Sequence, residues 1–258
     1  MKNGKRINKK NKRFKNWDSL FLILIVFNTS VSGQSLPSWF VHPQELKSRC
    51  SIGIVQTSFF KDSSYFYAFK KACENAIMQK ECKVLVRTSF LGTTDKTYWE
   101  DYFEKIEFDT SILQDSYTRF KIVDSIQTEN ITIALIAEKK NININRNLIN
   151  IENEQKPEWI KNIPQLNGFF YSVGQSEDYY FTTSSWDIAE KSAILGLARR
   201  KFQYIKSDYT REQSNFLDNV VDLRKEIVFA HLKNIEILSR WYDIKNKIYY
   251  VLARCDKN

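Results

Sequence analysis

The sequence is poor in the residues from which most catalytic sites are built. Only two histidines occur, His42 and His231, and no Gly-x-Ser-x-Gly motif supplies a hydrolytic nucleophile. The seven glycines form neither a Gly-x-Gly-x-x-Gly fingerprint nor a P-loop, which argues against the common nucleotide sites. We therefore expect no catalytic residue, no metal ion and no cofactor. Both histidines are expected to have structural roles.

Cysteine is also scarce, with four residues and no Cys-x-x-Cys pair. This spacing argues against a zinc site or a thioredoxin-type redox centre. In an exported protein, four cysteines allow two disulfides in three pairings. We expect at most one disulfide. We also expect Cys73 to be buried, since it lies on a helix predicted to begin near residue 63. The disulfide candidates are Cys50, Cys73, Cys82 and Cys255.

The apolar run at residues 20–27 is too short for a spanning helix, which needs about 20 apolar residues. It follows a strongly basic stretch and precedes small residues that end at Gly33, the order typical of an export signal. We interpret residues 1–33 as a signal peptide that is cleaved between Gly33 and Gln34. The alternative is an uncleaved anchor.

The positive charge of the chain comes mainly from this segment. The whole chain carries +9 at pH 7, and residues 1–33 contain eight basic residues and one acidic residue. The rest of the chain is therefore close to +2. The high isoelectric point reflects targeting, and we expect no nucleic-acid partner.

The remaining chain contains one pattern twice. In the second half, residues 170–175 predict a short buried strand, and residues 184–200 predict a helix with Ser184 as its N-cap. The small residues of this helix fall on one face, which lets it approach a sheet closely. Similar segments stand 120 or 121 residues earlier. The matched pairs are 37–39 with 157–159, 51–53 with 172–174 and 63–68 with 184–189; near the end, 131–137 matches 247–253.

Four matches in the same order indicate an internal duplication. We predict two repeats, residues 34–138 and 156–258, each with its own core of about 100 residues. Residues 139–155, rich in asparagine, are predicted to form the linker. The alternating Ile142 and Ile144 leave open that they prolong the preceding strand.

Each repeat is predicted to be α+β, a small and mostly antiparallel sheet with helices packed on one face. In the first repeat, we expect strands at 84–90, 120–127 and 131–137 and a helix at 99–106. In the second repeat, we expect strands at 202–209, 235–242 and 248–254 and a helix at 216–232. Residues 37–39 and 157–159 are expected to be extended entry segments.

The order of these motifs resembles the LPP-twenty lipoprotein family. The motifs are a Pro-x-Trp entry, Tyr-Ser-Val-Gly-Gln at 171–175, the Ser-capped helix, Trp-Tyr-Asp at 241–243 and Tyr-Tyr-Val-Leu-Ala-Arg at 249–254. That family is typified by a small outer-membrane lipoprotein of Helicobacter and is similar to the N-terminal domain of a flagellar T-ring assembly protein. The resemblance implies a non-catalytic envelope domain with a small α/β fold. This chain departs from the pattern by lacking a lipidation cysteine and by carrying two copies.

Aromatic residues make up 14% of the chain, and several fall between the first strand and first helix of each repeat. Loops at such positions often bind ligands or partners. One interpretation is that these rings fold back over the core, as apolar residues usually do. The other is that they form an edge that contacts a partner. The candidates are Phe59, Phe60, Tyr179, Tyr180 and Phe181.

Together, these features predict a non-enzymatic, exported protein of a bacterial cell envelope, in the periplasm or at the periphery of the outer membrane. The expected partners are envelope proteins or cell-wall components, and peripheral membrane association is a further expectation. One alternative is a glycan- or peptidoglycan-binding module. Another is a hydrolase with a site between the two repeats.

Overall fold

The α+β prediction is confirmed. The computed structural model describes residues 35–46, 50–92, 97–138, 142–210 and 223–257, and this part of the chain contains both helices and antiparallel sheets. The α-helices are α1 (Ser38–Val41), α2 (Lys61–Lys80), α3 (Leu113–Arg119) and α4 (Thr182–Thr210). The strands are β1 (Ser35–Pro37), β2 (Cys50–Gln56), β3 (Glu81–Gly92), β4 (Thr97–Glu107), β5 (Lys121–Gln127), β6 (Ile131–Ala137), β7 (Leu148–Asn150), β8 (Phe169–Glu177), β9 (Leu223–Lys233), β10 (Glu236–Asp243) and β11 (Ile248–Asp256).

Two of the sheets have the same arrangement of strands. The first has the order β2-β6-β5 and the second has the order β8-β11-β10, and both are antiparallel. In each, the strand before a long helix pairs with the last strand of a closing hairpin. The strands predicted at 120–127, 131–137, 235–242 and 248–254 are confirmed by these hairpins.

Each long helix lies against its sheet at a glycine. A Cβ atom on Gly174 of β8 would lie 2.8 Å from the Cα of Ala193 and would collide with the carbonyl oxygen of Ala189, both on α4. A Cβ atom on Gly53 of β2 would collide in the same way with the carbonyl oxygen of Ala68 on α2. The small-residue face predicted for α4 therefore packs directly on the sheet.

The third sheet joins the two halves of the chain, because its order is β4-β3-β9. Strand β3 pairs with β9 from Glu81 opposite Lys233 to Leu91 opposite Leu223. The strand predicted at 84–90 is confirmed as part of β3.

Three predicted elements are wrong. Residues 99–106, expected to be helical, lie in β4, which pairs along β3. The helix predicted at 216–232 is replaced from Leu223 onward by β9, and residues 216–222 lie outside the described part of the chain. Residues 202–209, expected to be a strand, continue α4. The entry segments are also not extended throughout, because residues 38–41 are α-helical and Glu158–Ile160 is a 3₁₀ turn.

The two halves share a hydrophobic core. Residues Gln34–Asn258 form one compact unit, and its largest cluster of buried side chains joins Ile52 and Val84 with Trp186 and Val251. The prediction of a separate core for each half is therefore wrong. The described part of the predicted linker, residues 142–155, also contributes to this core, because β7 pairs with β1 and Ile151 is buried there.

A buried arginine ties three elements of this unit together. The side chain of Arg240 on β10 is 2% exposed and donates to the Glu190 carboxylate of α4 at 2.7 Å. It also donates to the carbonyl oxygen of Phe40 in α1 at 2.7 Å, with its guanidinium over the Phe40 ring. A charge this deeply buried needs such partners, because desolvation would otherwise destabilise the folded state.

Candidate partner-binding loops

Two loops with the same construction precede the long helices. They are the aromatic loops, residues 57–60 before α2 and residues 178–181 before α4. The backbone N–H of Ser58 donates to the Ser64 hydroxyl at 2.8 Å, and that of Tyr179 donates to the Ser185 hydroxyl at 2.8 Å. Both hydroxyl residues are buried in the first turns of their helices. Each bond of this kind contributes about 1 kcal/mol and fixes the path of the loop.

The serine that holds the second loop differs from the one expected. The sequence predicts Ser184 as the N-cap, but α4 begins at Thr182 and the hydroxyl that accepts from the loop is that of Ser185. Asp187, in the same turns of α4, pairs with Lys191 at 2.6 Å and with Lys71 of α2 at 3.0 Å. Burial alone would raise the pKa of Asp187, but the two lysines outweigh it and hold that pKa below its ordinary value.

The rings of both loops are exposed. Phe59 and Tyr180, which stand 121 positions apart, are each 94% exposed, and the other three candidates, Phe60, Tyr179 and Phe181, are at least about half exposed. The interpretation that these rings cover the core is wrong, because the close contact of each helix with its sheet already closes the core.

Within each loop, two rings support one another. Phe59 and Phe60 meet edge to face with ring centroids 5.4 Å apart, and Tyr180 and Phe181 do so at 4.8 Å. This geometry is favourable for aromatic pairs. The pairs therefore present apolar surface in a preferred arrangement.

Helix α2 extends the first loop with two aromatic residues that the sequence reasoning missed. Phe66 and Tyr67 are more than half exposed, their rings meet, and the Lys70 ammonium lies 4.6 Å from the Phe66 centroid. The signal was the helical period: Phe66 lies two positions from both Ser64 and Ala68, which face the sheet, so it points to the other side. The first loop thus has the larger aromatic surface.

The histidines lie next to carboxylates and away from both loops. His42 Nε2 is 3.9 Å from a Glu154 carboxylate oxygen, and His231 Nε2 is 2.5 Å from that of Glu81. His231 lies on β9 and not in the helix predicted at 216–232. In the described part of the chain, no three or more His, Cys, Asp or Glu side chains are grouped so as to hold a metal ion.

All four candidate cysteines are free thiols in the structure. Cys73 is buried on α2, as expected. Cys82 and Cys255 are buried in the shared core, and burial raises the pKa of each thiol to about 12. Burial also raises the pKa of Cys50 to about 11. These thiols are therefore poor nucleophiles at neutral pH.

The predicted cleavage site, Gly33 and Gln34, lies outside the residues that the structure describes. Within those residues, we find no helix with the length and apolar character needed to cross a membrane. Comparison of the chain with protein-family models, curated proteins and solved structures gives no match. The resemblance to the LPP-twenty family stays a prediction from the motifs.

Proposed function

We propose that this chain is a non-catalytic, exported cell-envelope protein that binds or scaffolds other envelope components. The observation that carries the proposal is the pair of aromatic loops, in which Phe59 and Tyr180 occupy equivalent positions and are each 94% exposed. The basic and apolar pattern of residues 1–33 supports export.

Similar features in the two halves of the chain support the inference that it contains two binding modules in tandem. Their first and second sheets have the same strand order, and a glycine lies beneath each long helix at Gly53 and Gly174. A buried serine holds each loop at Ser64 and Ser185. Two halves of separate origin would not be expected to share three such features at corresponding positions. We therefore infer a duplication that provides two loops of the same kind.

A protein partner fits these loops because of their chemistry. Aromatic rings bury a large area at little cost in side-chain entropy and dominate the energetic centres of protein interfaces. Fully burying one such ring contributes on the order of 1.5–3 kcal/mol. The serine bonds fix the loop backbone beforehand, which lowers the entropy lost on binding.

Affinity purification from cross-linked envelopes tests this proposal. The full chain carrying both Phe59→Ser and Tyr180→Ser should lose defined envelope proteins that the unaltered chain retains. Phe229→Ser is the matched control, because Phe229 is an exposed ring on β9, outside the loops. We expect the melting temperature of all three to agree closely, since no altered ring is buried.

Two outcomes would contradict the proposal. One is equal recovery of the same proteins by the loop variant and the unaltered chain. The other is recovery of polysaccharide alone, which would favour the glycan-binding alternative. Export is tested separately by the intact mass of the protein from the envelope fraction, which should correspond to a chain that begins at Gln34.

A further inference from the structure

The two aromatic loops differ in charge, although they occupy equivalent positions. Residues 56–61 contain one lysine and no acidic residue, whereas residues 177–182, which stand 121 positions later, contain two acidic residues and no basic residue. Glu177 and Asp178 stand where the first half of the chain has Gln56 and Thr57. One copy of the loop therefore begins with carboxylates, and the other does not.

The two carboxylates beside the second loop carry no counter-charge. Glu177 is the last residue of β8, Asp178 is the first residue of the loop, and both are exposed. Within the described part of the chain, neither forms an ion pair with a lysine, arginine or histidine. Lys247 adjoins Ile248, whose backbone pairs with that of Glu177, but it also forms no ion pair among the described residues. The negative charge is therefore available to a partner.

Asp178 has a fixed position next to the loop. The Tyr249 hydroxyl donates to Asp178 Oδ1 at 3.3 Å. Burial raises the pKa of Tyr249 and of Tyr242, and the Asp178 carboxylate raises both further. The next residue, Tyr179, is held through its backbone N–H by the Ser185 hydroxyl. The carboxylate and the aromatic loop are thus positioned together before any partner binds.

The rings of the second loop have no cation of their own. Tyr180 is 94% exposed, and no described lysine or arginine lies over its ring or over that of Phe181. In the first half of the chain, by contrast, the Lys70 ammonium lies 4.6 Å from the centroid of Phe66. An exposed ring attracts a cation to its face, and a nearby carboxylate adds to that attraction.

We propose that the second loop binds a basic side chain, arginine or lysine, of a partner protein. The cation lies over the Tyr180 ring and pairs with the Glu177 and Asp178 carboxylates, whereas the first loop does not select a basic residue. A neutral glycan could stack on the same ring, but it would leave both carboxylates without a counter-charge. The inference rests on the proposed function, because it gives the chemistry of the partner at one of the two loops.

The first test measures retention of the full chain on immobilised ten-residue peptides that are N-acetylated and C-amidated. The peptides share one sequence of glycine, serine and leucine and differ at two central positions, which are both arginine or both glutamine. At about 0.1 M salt we expect retention on the arginine peptide to be about threefold higher or more, and at about 1 M salt we expect the difference to disappear because charges are screened. Equal retention on both peptides at low salt would overturn the proposal.

Removal of the two charges tests the role of the carboxylates. Glu177→Gln combined with Asp178→Asn keeps the shape of both side chains and an oxygen that can accept from Tyr249, and it should lower retention on the arginine peptide about threefold or more. Asp62→Asn combined with Glu129→Gln is the matched control, because it makes the same change of net charge at two exposed acids near the first loop. An equal loss in the control would show a general effect of charge and would overturn the proposal.

Two substitutions at one position test the ring. Tyr180→Phe keeps an aromatic face and should retain the preference for the arginine peptide, whereas Tyr180→Leu keeps apolar volume alone and should lower that preference about twofold or more. The melting temperature of both variants should match that of the unaltered chain, since Tyr180 is almost fully exposed. An unchanged preference in Tyr180→Leu would show that no cation lies over the ring.

The purification from cross-linked envelopes separates this inference from the proposed function. Loss of the same envelope proteins by Glu177→Gln/Asp178→Asn and by Phe59→Ser/Tyr180→Ser would support both. If only Phe59→Ser/Tyr180→Ser loses them, the loops bind a partner without a basic side chain, so the inference is overturned and the proposed function stands. Full recovery by both variants, with no preference for the arginine peptide, would reject both.

Discussion

The contact between Gly174 and α4 makes a sharp prediction about stability. In Gly174→Ala, the new methyl group would lie 2.8 Å from the Ala193 Cα and would collide with backbone atoms of α4. Backbone cannot rotate away as a side chain does, so the helix must move as a whole. Overpacking of this kind costs typically 1–3 kcal/mol, and we expect about 3 kcal/mol here. At 2–4 °C per kcal/mol for a chain of this size, the melting temperature should fall by roughly 6–12 °C.

Thermal unfolding followed by circular dichroism measures this change. Gly168→Ala is the control, because Gly168 has a φ of 89° but no atom within 4 Å of a new Cβ. It should lose only about 1–2 kcal/mol through backbone strain. A loss in Gly174→Ala no greater than that in Gly168→Ala would refute the close helix–sheet contact.

Two further predictions concern buried charges and thiols. Arg240→Ala should lower the free energy of unfolding by about 3–5 kcal/mol, because it leaves the largely buried Glu190 carboxylate unpaired. A double-mutant cycle with Glu190→Ala should show strong coupling, and additive losses would contradict the pairing. The pKa of Cys82 and of Cys255 is about 12 in the folded chain, against an ordinary value of 9.0. The folded state therefore holds these two protons more tightly than the unfolded state. The resulting stabilisation is fully present below pH 9 and is lost as the pH rises from 9 to 12. Alanine at both positions should therefore flatten part of the alkaline fall in the free energy of unfolding, and rapid alkylation of both thiols in the folded chain at pH 8 would contradict their burial.

Local sequence patterns were sufficient to predict an element where that element packs within its own half of the chain. The small residues of α4 predicted a helix that lies close to a sheet, and Ala189 and Ala193 are fully buried there. The strands of the closing hairpins were predicted at 120–127, 131–137, 235–242 and 248–254, and the structure has strands there. No glycine or proline follows Gly196 before residue 211, so nothing in the sequence ends α4 where a strand was expected.

The third sheet could not be predicted from either half alone. The apolar residues of β9 also fit a period of 3.6 and so predict a helix, but pairing with β3 of the other half selects the strand. The alternation was present in the sequence: Val228, Ala230 and Leu232 are buried, while Phe229 between them is exposed. Long-range pairing thus decided a case that local periodicity left ambiguous.

The candidate loops were located from the repeat, but the exposure of their rings was not predicted. The usual burial of aromatic residues favoured a core role. The rings of Phe59 and Tyr180 are exposed instead, because each long helix contacts a glycine of its sheet directly and leaves no space beneath it for a ring.

Site-specific photocross-linking tests directly whether the aromatic loops contact a partner. A benzophenone amino acid would replace Phe59, Tyr180 or the control Phe229 in the full chain, and intact cells would be irradiated before purification and mass spectrometry. We expect cross-links from positions 59 and 180 to the same envelope protein or complex, and none to it from position 229. Absence of such cross-links at both loop positions, or equal cross-linking at position 229, would contradict the role of the aromatic loops in binding a partner.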